Sequence, residues 1–185
     1  PPRSTLFPYT TLFRSVVSYP GLGVSVFDAT SGDTLWTLGD DRLLSGGTPM
    51  LGESNELITI RNDKLVSVSL STKQVQWEQG GSFLGSAAVG NGTIYVISGQ
   101  DVQARSESNG TLQWSWRPPE GSPTGTIAVT RNIVFVSTSA TTYGVDVAAR
   151  RQVWSYPAGG QPALSAQGYL FIAQDNGKLT AVVAR

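Results

Sequence analysis

The side chains in this sequence that could do acid–base or metal chemistry are its carboxylates. The 185 residues include 13 Asp and Glu but no histidine and no cysteine, so a catalytic base would have to be a carboxylate. Most of these residues stand in predicted turns, as Asp28, Asp146 and the pair Asp40-Asp41 do, where Asp is favoured because it binds nearby backbone N–H groups. We therefore predict no catalytic, cofactor-binding or metal-binding residue, and nothing in the sequence identifies an enzyme.

Three Asn-Gly sites could be given a chemical meaning, but a turn explains each of them. Asp175-Asn176-Gly177 resembles the start of a calcium loop, yet the other ligands and the closing Glu are missing. Asn91-Gly92-Thr93 and Asn109-Gly110-Thr111 match the N-glycosylation pattern. Asn-Gly is also the strongest hairpin signal, because a type I′ turn needs positive φ at both central residues. We interpret all three as hairpin turns.

Composition excludes several classes of partner. Thirteen basic residues balance 13 acidic ones, so no net positive field attracts nucleic acid. No stretch approaches the ~20 apolar residues that a membrane helix requires. The absence of cysteine is compatible with an oxidising or a reducing compartment. We expect no nucleic-acid partner and no transmembrane segment in this portion, and composition leaves the compartment open.

The elements that position these side chains come from an internal repeat. Trp36, Trp77, Trp114 and Trp154 recur at intervals of 41, 37 and 40 residues, and each closes a 14-residue segment of one pattern. A fifth copy begins at Lys178 and stops before its Trp. A period near 40 with short strands is typical of propeller blades of four strands each. The sequence therefore predicts an all-β propeller with four-stranded antiparallel blades and almost no helix.

The repeat also predicts the domain organisation. Apolar segments such as TIYVISG and GYLFIA mark the strands expected to be buried on both faces, and glycine pairs after the Trp strands mark connections between units. Counting strands gives a half blade, three complete blades and an incomplete blade. We place them at 16–38, at 47–79, 85–117 and 124–156, and at 161–185. We expect an open arc, a fragment of a larger ring.

Aligned on the tryptophans, the units resemble the tryptophan-docking motif A-x-D-x-x-T-G-x-x-x-W of pyrroloquinoline-quinone-type propeller repeats. The positions that carry the resemblance are Val26, Asp28, Gly32 and Trp36 in the first unit, Trp77 in the second, Ala104, Gly110 and Trp114 in the third, and Gly144, Asp146 and Trp154 in the fourth. Lys73 and Arg150 stand where the motif has glycine. The resemblance implies an eight-bladed ring in which each indole packs against the neighbouring blade.

Two branches of this superfamily differ in function. Quinone-dependent dehydrogenases use a bound quinone, calcium and an Asp base, and none of their distinguishing parts can be found here. The sequence is more similar to the BamB-like branch, which implies a non-catalytic scaffold that binds protein partners through loops or strand edges and needs no cofactor. A dehydrogenase fragment, with the quinone and calcium as cofactors, is the alternative, and a surface sensor or adhesion module is a second one. The resemblance implies a periplasmic, outer-membrane-associated or secreted bacterial protein.

The first 15 residues do not fit the repeat. PPRSTLFPYTTLFRS resembles the in-frame translation of a widely used short-read sequencing adapter, so we treat residues 1–15 as non-native and exclude them from fold reasoning. Native sequence then begins near Val16, and the natural N-terminus is expected to lie elsewhere.

Because an adapter-derived segment was never selected together with the blades, deleting residues 1–15 should leave the melting temperature unchanged. Thermal unfolding of the two chains tests this. A loss of more than ~1 kcal/mol, which is typical of a real packing contact, would contradict the adapter interpretation.

Overall fold

The computed structural model describes residues 14–19, 23–38 and 47–183, and side chains from residue 25 onward with the exception of Leu38. The expectations for residues 1–13 and for Asp40 and Asp41 therefore lie outside the described residues. The described part of the chain is all-β. It contains no helix that could cross a membrane. The chain divides into two compact units between residues 45 and 46.

The first unit contains one three-stranded antiparallel sheet, blade 1, in the order β1-β2-β3. Its strands are Arg14–Tyr19 (β1), Gly23–Asp28 (β2) and Thr34–Leu38 (β3). The half blade expected at 16–38 was predicted to hold two strands, so the count is wrong by one. Val16 and Val17 lie in β1 opposite Val26 and Ser25, and they complete the backbone hydrogen bonding on that side of β2.

The start of β1 also corrects the expectation for the N-terminal segment. Arg14 pairs with Asp28 and Ser15 pairs with Phe27, although both were expected to be adapter-derived and free of contacts with the blades. The physical reason is that strand pairing uses backbone N–H and C=O groups that every non-proline residue carries. A strand that begins at Val16 can therefore extend by two residues of any sequence, so the deletion that tests the adapter interpretation has to spare Arg14 and Ser15.

The second unit contains four sheets, each an antiparallel meander in chain order. Blade 2 consists of Met50–Leu51 (β4), Glu56–Arg61 (β5), Lys64–Ser69 (β6) and Val75–Gly80 (β7); blade 3 of Phe83–Gly90 (β8), Thr93–Ser98 (β9), Asp101–Ser106 (β10) and Leu112–Trp116 (β11); blade 4 of Thr124–Val129 (β12), Ile133–Ser137 (β13), Thr142–Asp146 (β14) and Arg151–Tyr156 (β15); and blade 5 of Gln161–Leu164 (β16), Tyr169–Ala173 (β17) and Leu179–Val183 (β18). These are successive blades of a β-propeller.

The core lies between blades. The second strand of each complete blade is almost entirely buried, as in β9, where Ile94, Tyr95, Val96 and Ile97 are at most 1% exposed. Both faces of such a strand are covered, which explains its unbroken apolar run. The hydrophobic clusters accordingly combine residues of blades 2 and 3, of blades 3 and 4, and of blades 4 and 5.

Adjacent blades approach closely at or just before their first strands, where Gly47, Gly85 and Gly125 lie. A Cβ built on Gly47 would lie 1.9 Å from the carbonyl oxygen of Gly85, and one on Gly85 would lie 1.9 Å from that of Gly125. Neither position can hold a side chain, because real Cβ atoms do not come closer than about 3.0 Å to another heavy atom. The backbone of one blade therefore rests directly against the backbone of the next.

Replacing Gly85 by alanine should lower the free energy of unfolding by ~2 to 5 kcal/mol, since the new methyl group meets the Gly125 carbonyl and the residue has a φ of +70°. Gly125→Ala is the matched control, because a Cβ there has no neighbour within 4 Å, and it should change stability by less than ~1 kcal/mol. Denaturant unfolding measures both, and equal effects would contradict the close approach at Gly85.

Candidate functional site

The four repeat tryptophans occupy one position in their blades. Each lies on the last strand present, directly opposite a small or β-branched residue of the preceding strand, and a β-bulge follows at the next residue of that preceding strand. The pairs are Val26 with Trp36, Ser67 with Trp77, Ala104 with Trp114, and Gly144 with Trp154. The small partners leave room for the indole on the face of the blade.

Trp77 shows how one blade is tied to the next. Its indole Nε1 donates a hydrogen bond of 3.0 Å to the backbone oxygen of Glu107 in blade 3. A Cβ on Gly110 would lie only 2.7 Å from Cζ3 of Trp77, so glycine is required where the ring rests. Beside the ring, Gln79 Nε2 donates to the backbone oxygen of Asn109 over 3.0 Å. The turn of blade 3 that contains Gly110 is therefore the receptor for the last strand of blade 2.

Trp114 and Trp154 lie at the next two interfaces. Trp114 is buried 6.0 Å from the ring of Tyr95, in a cluster with residues of blade 4 such as Val136. Trp154 is half-buried, stacked on Tyr156 at 6.1 Å and edge-on to Phe135 at 5.9 Å, and it contacts the blade 5 cluster. These indoles are spread over separate interfaces and do not line one pocket.

The turn before each tryptophan strand has the same backbone in all four units. Gly32, Lys73, Gly110 and Arg150 have φ between 56° and 77°. Each donates its N–H to the carbonyl four residues earlier, at 2.8–2.9 Å, on Asp28, Ser69, Ser106 and Asp146 respectively. Lys73 and Arg150 thus adopt a left-handed conformation that costs ~1 to 2 kcal/mol for a residue with a Cβ. The two departures from the motif change the residue and leave the turn intact.

The motif aspartates stabilise these turns. Asp28 Oδ1 accepts hydrogen bonds from the N–H groups of Thr30 and Ser31 at 2.8 and 3.0 Å. Asp146 Oδ1 accepts one from Ala149 N–H at 2.6 Å. A short polar side chain that binds backbone N–H groups of its own turn is the usual reason for Asp at this place. Both carboxylates therefore have a structural use.

Two other carboxylates form surface ion pairs. Asp101 accepts two hydrogen bonds from the guanidinium of Arg117, at 2.7 and 3.1 Å, which lowers the pKa of Asp101. Lys64 Nζ lies 2.9 Å from Glu78 and lowers the pKa of that carboxyl. Among the described residues no group of three or more carboxylates is placed to hold a metal ion.

Sequence reasoning missed three glutamates at the interface of blades 2 and 3. The carboxylate of Glu53 accepts the N–H groups of Asn91 and Gly92, at 2.6 and 3.0 Å, across the interface. Glu56 and Glu107 lie nearby and are each only 3% exposed. No motif marks them, and the one available signal is that Glu56 opens the apolar strand ELITIR, where a charged residue is out of place.

Two apolar features face solvent. The last strands of blades 2, 3 and 4 expose Val75, Leu112 and Val153 by 40%, 51% and 51%. Between blades 4 and 5 lies a cleft of about 480 Å³, lined by residues that include Ile133, Trp154, Leu170 and Val183. The exposed residues lie on strands at the ends of their sheets, whereas the cleft is also lined by residues of the inner strands β13 and β17.

Comparisons with known proteins give a consistent result. The family model described as outer membrane protein assembly factor BamB matches residues 22–157. The crystal structure of BamB from Moraxella catarrhalis superposes with a TM-score of 0.70 at 17% identity, and the match covers 91% of this chain and 54% of that one. The computationally designed Ika8 protein superposes with a TM-score of 0.76 at 12% identity, covering 92% and 55%. No curated protein matches the sequence significantly.

At sequence identities of 17% and 12%, the similarity to these two structures establishes the fold alone. The chain spans about half the length of the solved structures it matches, namely 54% and 55%. The activity and partners of a whole protein therefore cannot be carried over from them directly.

Trp77→Ala should lower the free energy of unfolding by ~3 to 5 kcal/mol, because it removes the indole from the Gly110 turn and leaves the Glu107 carbonyl without its donor. Trp77→Phe keeps much of the apolar contact and should cost less. Val75→Ala, on the same strand but exposed, should stay within ~0.5 kcal/mol. Chemical denaturation compares the three, and a Trp77→Ala effect as small as that of Val75→Ala would contradict the docking role.

Proposed function

Since the chain belongs to the family of the outer membrane protein assembly factor BamB, we propose that its propeller is a non-catalytic scaffold that binds protein partners. The proposal rests on the surface formed by the last strands of blades 2, 3 and 4, which are β7, β11 and β15. They lie at the ends of their sheets, so one side of each backbone is open to another strand.

Strand addition suits this surface. A partner in extended conformation adds main-chain hydrogen bonds to a free edge, and pockets or apolar side chains along the edge select its sequence. Val75 on β7 and Leu112 on β11 supply such side chains two residues before the tryptophan of their strand, and Val153 on β15 supplies one directly before Trp154. Exposed apolar groups on neighbouring edge strands fit a protein partner better than a small molecule, which needs a concave pocket.

Several carboxylates make structural contacts, which supports a non-catalytic scaffold. Asp28 and Asp146 bind their own turns, Asp101 is held by Arg117, and Glu53 binds the blade 3 turn. A general base must reach the proton it removes, and groups held in this way are occupied by the fold. We also propose a location in the cell envelope, periplasmic or associated with the outer membrane, on the basis of the family.

A photo-crosslinking residue at position 112 or 153 should form covalent adducts with a discrete protein in cells that express the full-length gene. Leu112→Lys combined with Val153→Lys should weaken binding of that protein by at least ~10-fold, or ~1.4 kcal/mol, because charge on the edge opposes an apolar contact. Crosslinking yield and affinity of the purified pair measure the effect.

Leu84 provides the matched control. It is 51% exposed, as Leu112 and Val153 are, but it lies on the first strand of blade 3. A crosslinker at 84 should give no adduct, and Leu84→Lys should leave the affinity unchanged. Equal adducts at 84 and 112, or quinone-dependent oxidation of an alcohol or sugar by the intact protein, would contradict the proposal.

A further inference from the structure

Two buried carboxyl groups face each other across the interface of blades 2 and 3. Glu56 opens β5 of blade 2, and Glu107 follows β10 of blade 3. Both are 3% exposed. The position of Gly52 marks their proximity, since a Cβ there would lie 2.4 Å from Oε1 of Glu107 and 2.9 Å from Cδ of Glu56.

The surrounding hydrogen bonds do not provide a donor for every oxygen of the two carboxyl groups. Oε1 of Glu107 accepts the backbone N–H of Glu53, whereas the Oε2 atoms of both glutamates are buried and have no donor among the described residues. The two carboxyl groups therefore lie close together, each with one buried oxygen that no group of the described residues donates to. Ionised carboxylates can only accept hydrogen bonds, so one of these oxygens gains a donor only if one of the two groups carries a proton.

The neighbouring charges provide no alternative partner for the pair. The carboxylate of Glu53 is turned to the N–H groups of Asn91 and Gly92. On β10, Arg105 donates to Gln103 and to the carbonyl of Gly110. Lys64 at the far end of β6 pairs with Glu78, and the charge that acts on Glu56 is that of Glu107. Buried charges that lack a countercharge favour the neutral form.

We propose that Glu56 and Glu107 share one proton and form a pH-dependent contact between blades 2 and 3. With the proton in place, the pair joins the blades beside the bond from Trp77 to the Glu107 carbonyl. When the proton is lost, two negative charges face each other in the interface, and neither Oε2 atom has a donor among the described residues. The interface then weakens, and the docking of Trp77 weakens with it because both act on Glu107.

The direction of the pH effect follows from Glu56. Burial raises its pKa above the ordinary value, the nearby Glu107 carboxyl raises it further, and backbone hydrogen bonds from Glu56 and Ser54 oppose the rise without cancelling it. A group whose pKa is raised in the folded state stabilises the fold. This stabilisation is fully present below the pKa of the unfolded state, and it is lost as the pH rises through the pKa of the folded state. Glu78 and Asp101 have lowered pKa values, so their contributions change at lower pH.

The sequence isolates this effect. It contains no histidine and no cysteine, and the remaining side chains have ordinary pKa values below 5 or above 9. As the pH rises from the ordinary glutamate pKa towards neutrality, the melting temperature of the whole chain should therefore fall, by at least ~2 °C. Glu56→Gln should abolish this dependence of the melting temperature on pH, because its amide N–H can donate to Glu107 at any pH. Glu120 is an exposed glutamate, and Glu120→Gln should keep the wild-type dependence.

A second measurement covers the case in which Glu56→Gln does not fold. Infrared spectroscopy of the wild-type chain within that pH range should show the carbonyl stretch of a buried protonated carboxyl, and Glu107→Gln should remove or shift it. The proposal is overturned if wild type and Glu56→Gln show equal slopes, or if the carboxyl band is absent. It is equally overturned if calcium raises the wild-type melting temperature at pH 7 and not that of Glu56→Gln, since a cation would then hold the pair.

Discussion

The rest of this structure depends on the burial of the apolar faces of one blade against the next. A single four-stranded sheet cannot cover both of its own faces, and the second strands here have apolar residues on both. Within residues 47–183, a tryptophan from the last strand of one blade packs at each interface with the next blade, as Trp77 does against blade 3. Removing water from such faces is worth ~25 cal/mol per Å², so stability resides between the blades.

This constraint explains where special residues are needed. Gly85 must lack a side chain because two backbones meet there, and Gly110 must lack one because an indole rests on it. The turns that position the tryptophan strands tolerate more, since Lys73 and Arg150 adopt positive φ in place of glycine. Close packing at the interface is therefore stricter than the local conformation of the turn.

The polar groups serve the same interfaces, which bears on function. Glu53 binds the turn of the next blade, and Asn91 Nδ2 donates to the Arg131 carbonyl of the blade after it, at 3.2 Å. The buried pair of Glu56 and Glu107 adds a contact whose strength changes with its proton. A scaffold assembled in this way leaves its outer strands free, and the exposed aliphatic residues there are the chemistry that it offers to a partner.

The sequence by itself determined the all-β repeat, the strand content of the complete blades and the positions of the tryptophans, because periodicity and Asn-Gly turns act over a few residues. It did not predict β1 as a third strand of blade 1, since pairing of Arg14 and Ser15 depends on backbone alone. Only the tertiary structure brought Glu107 to Glu56 and Gly85 to Gly125. These contacts join residues about 40 to 50 positions apart, and no local pattern records such a distance.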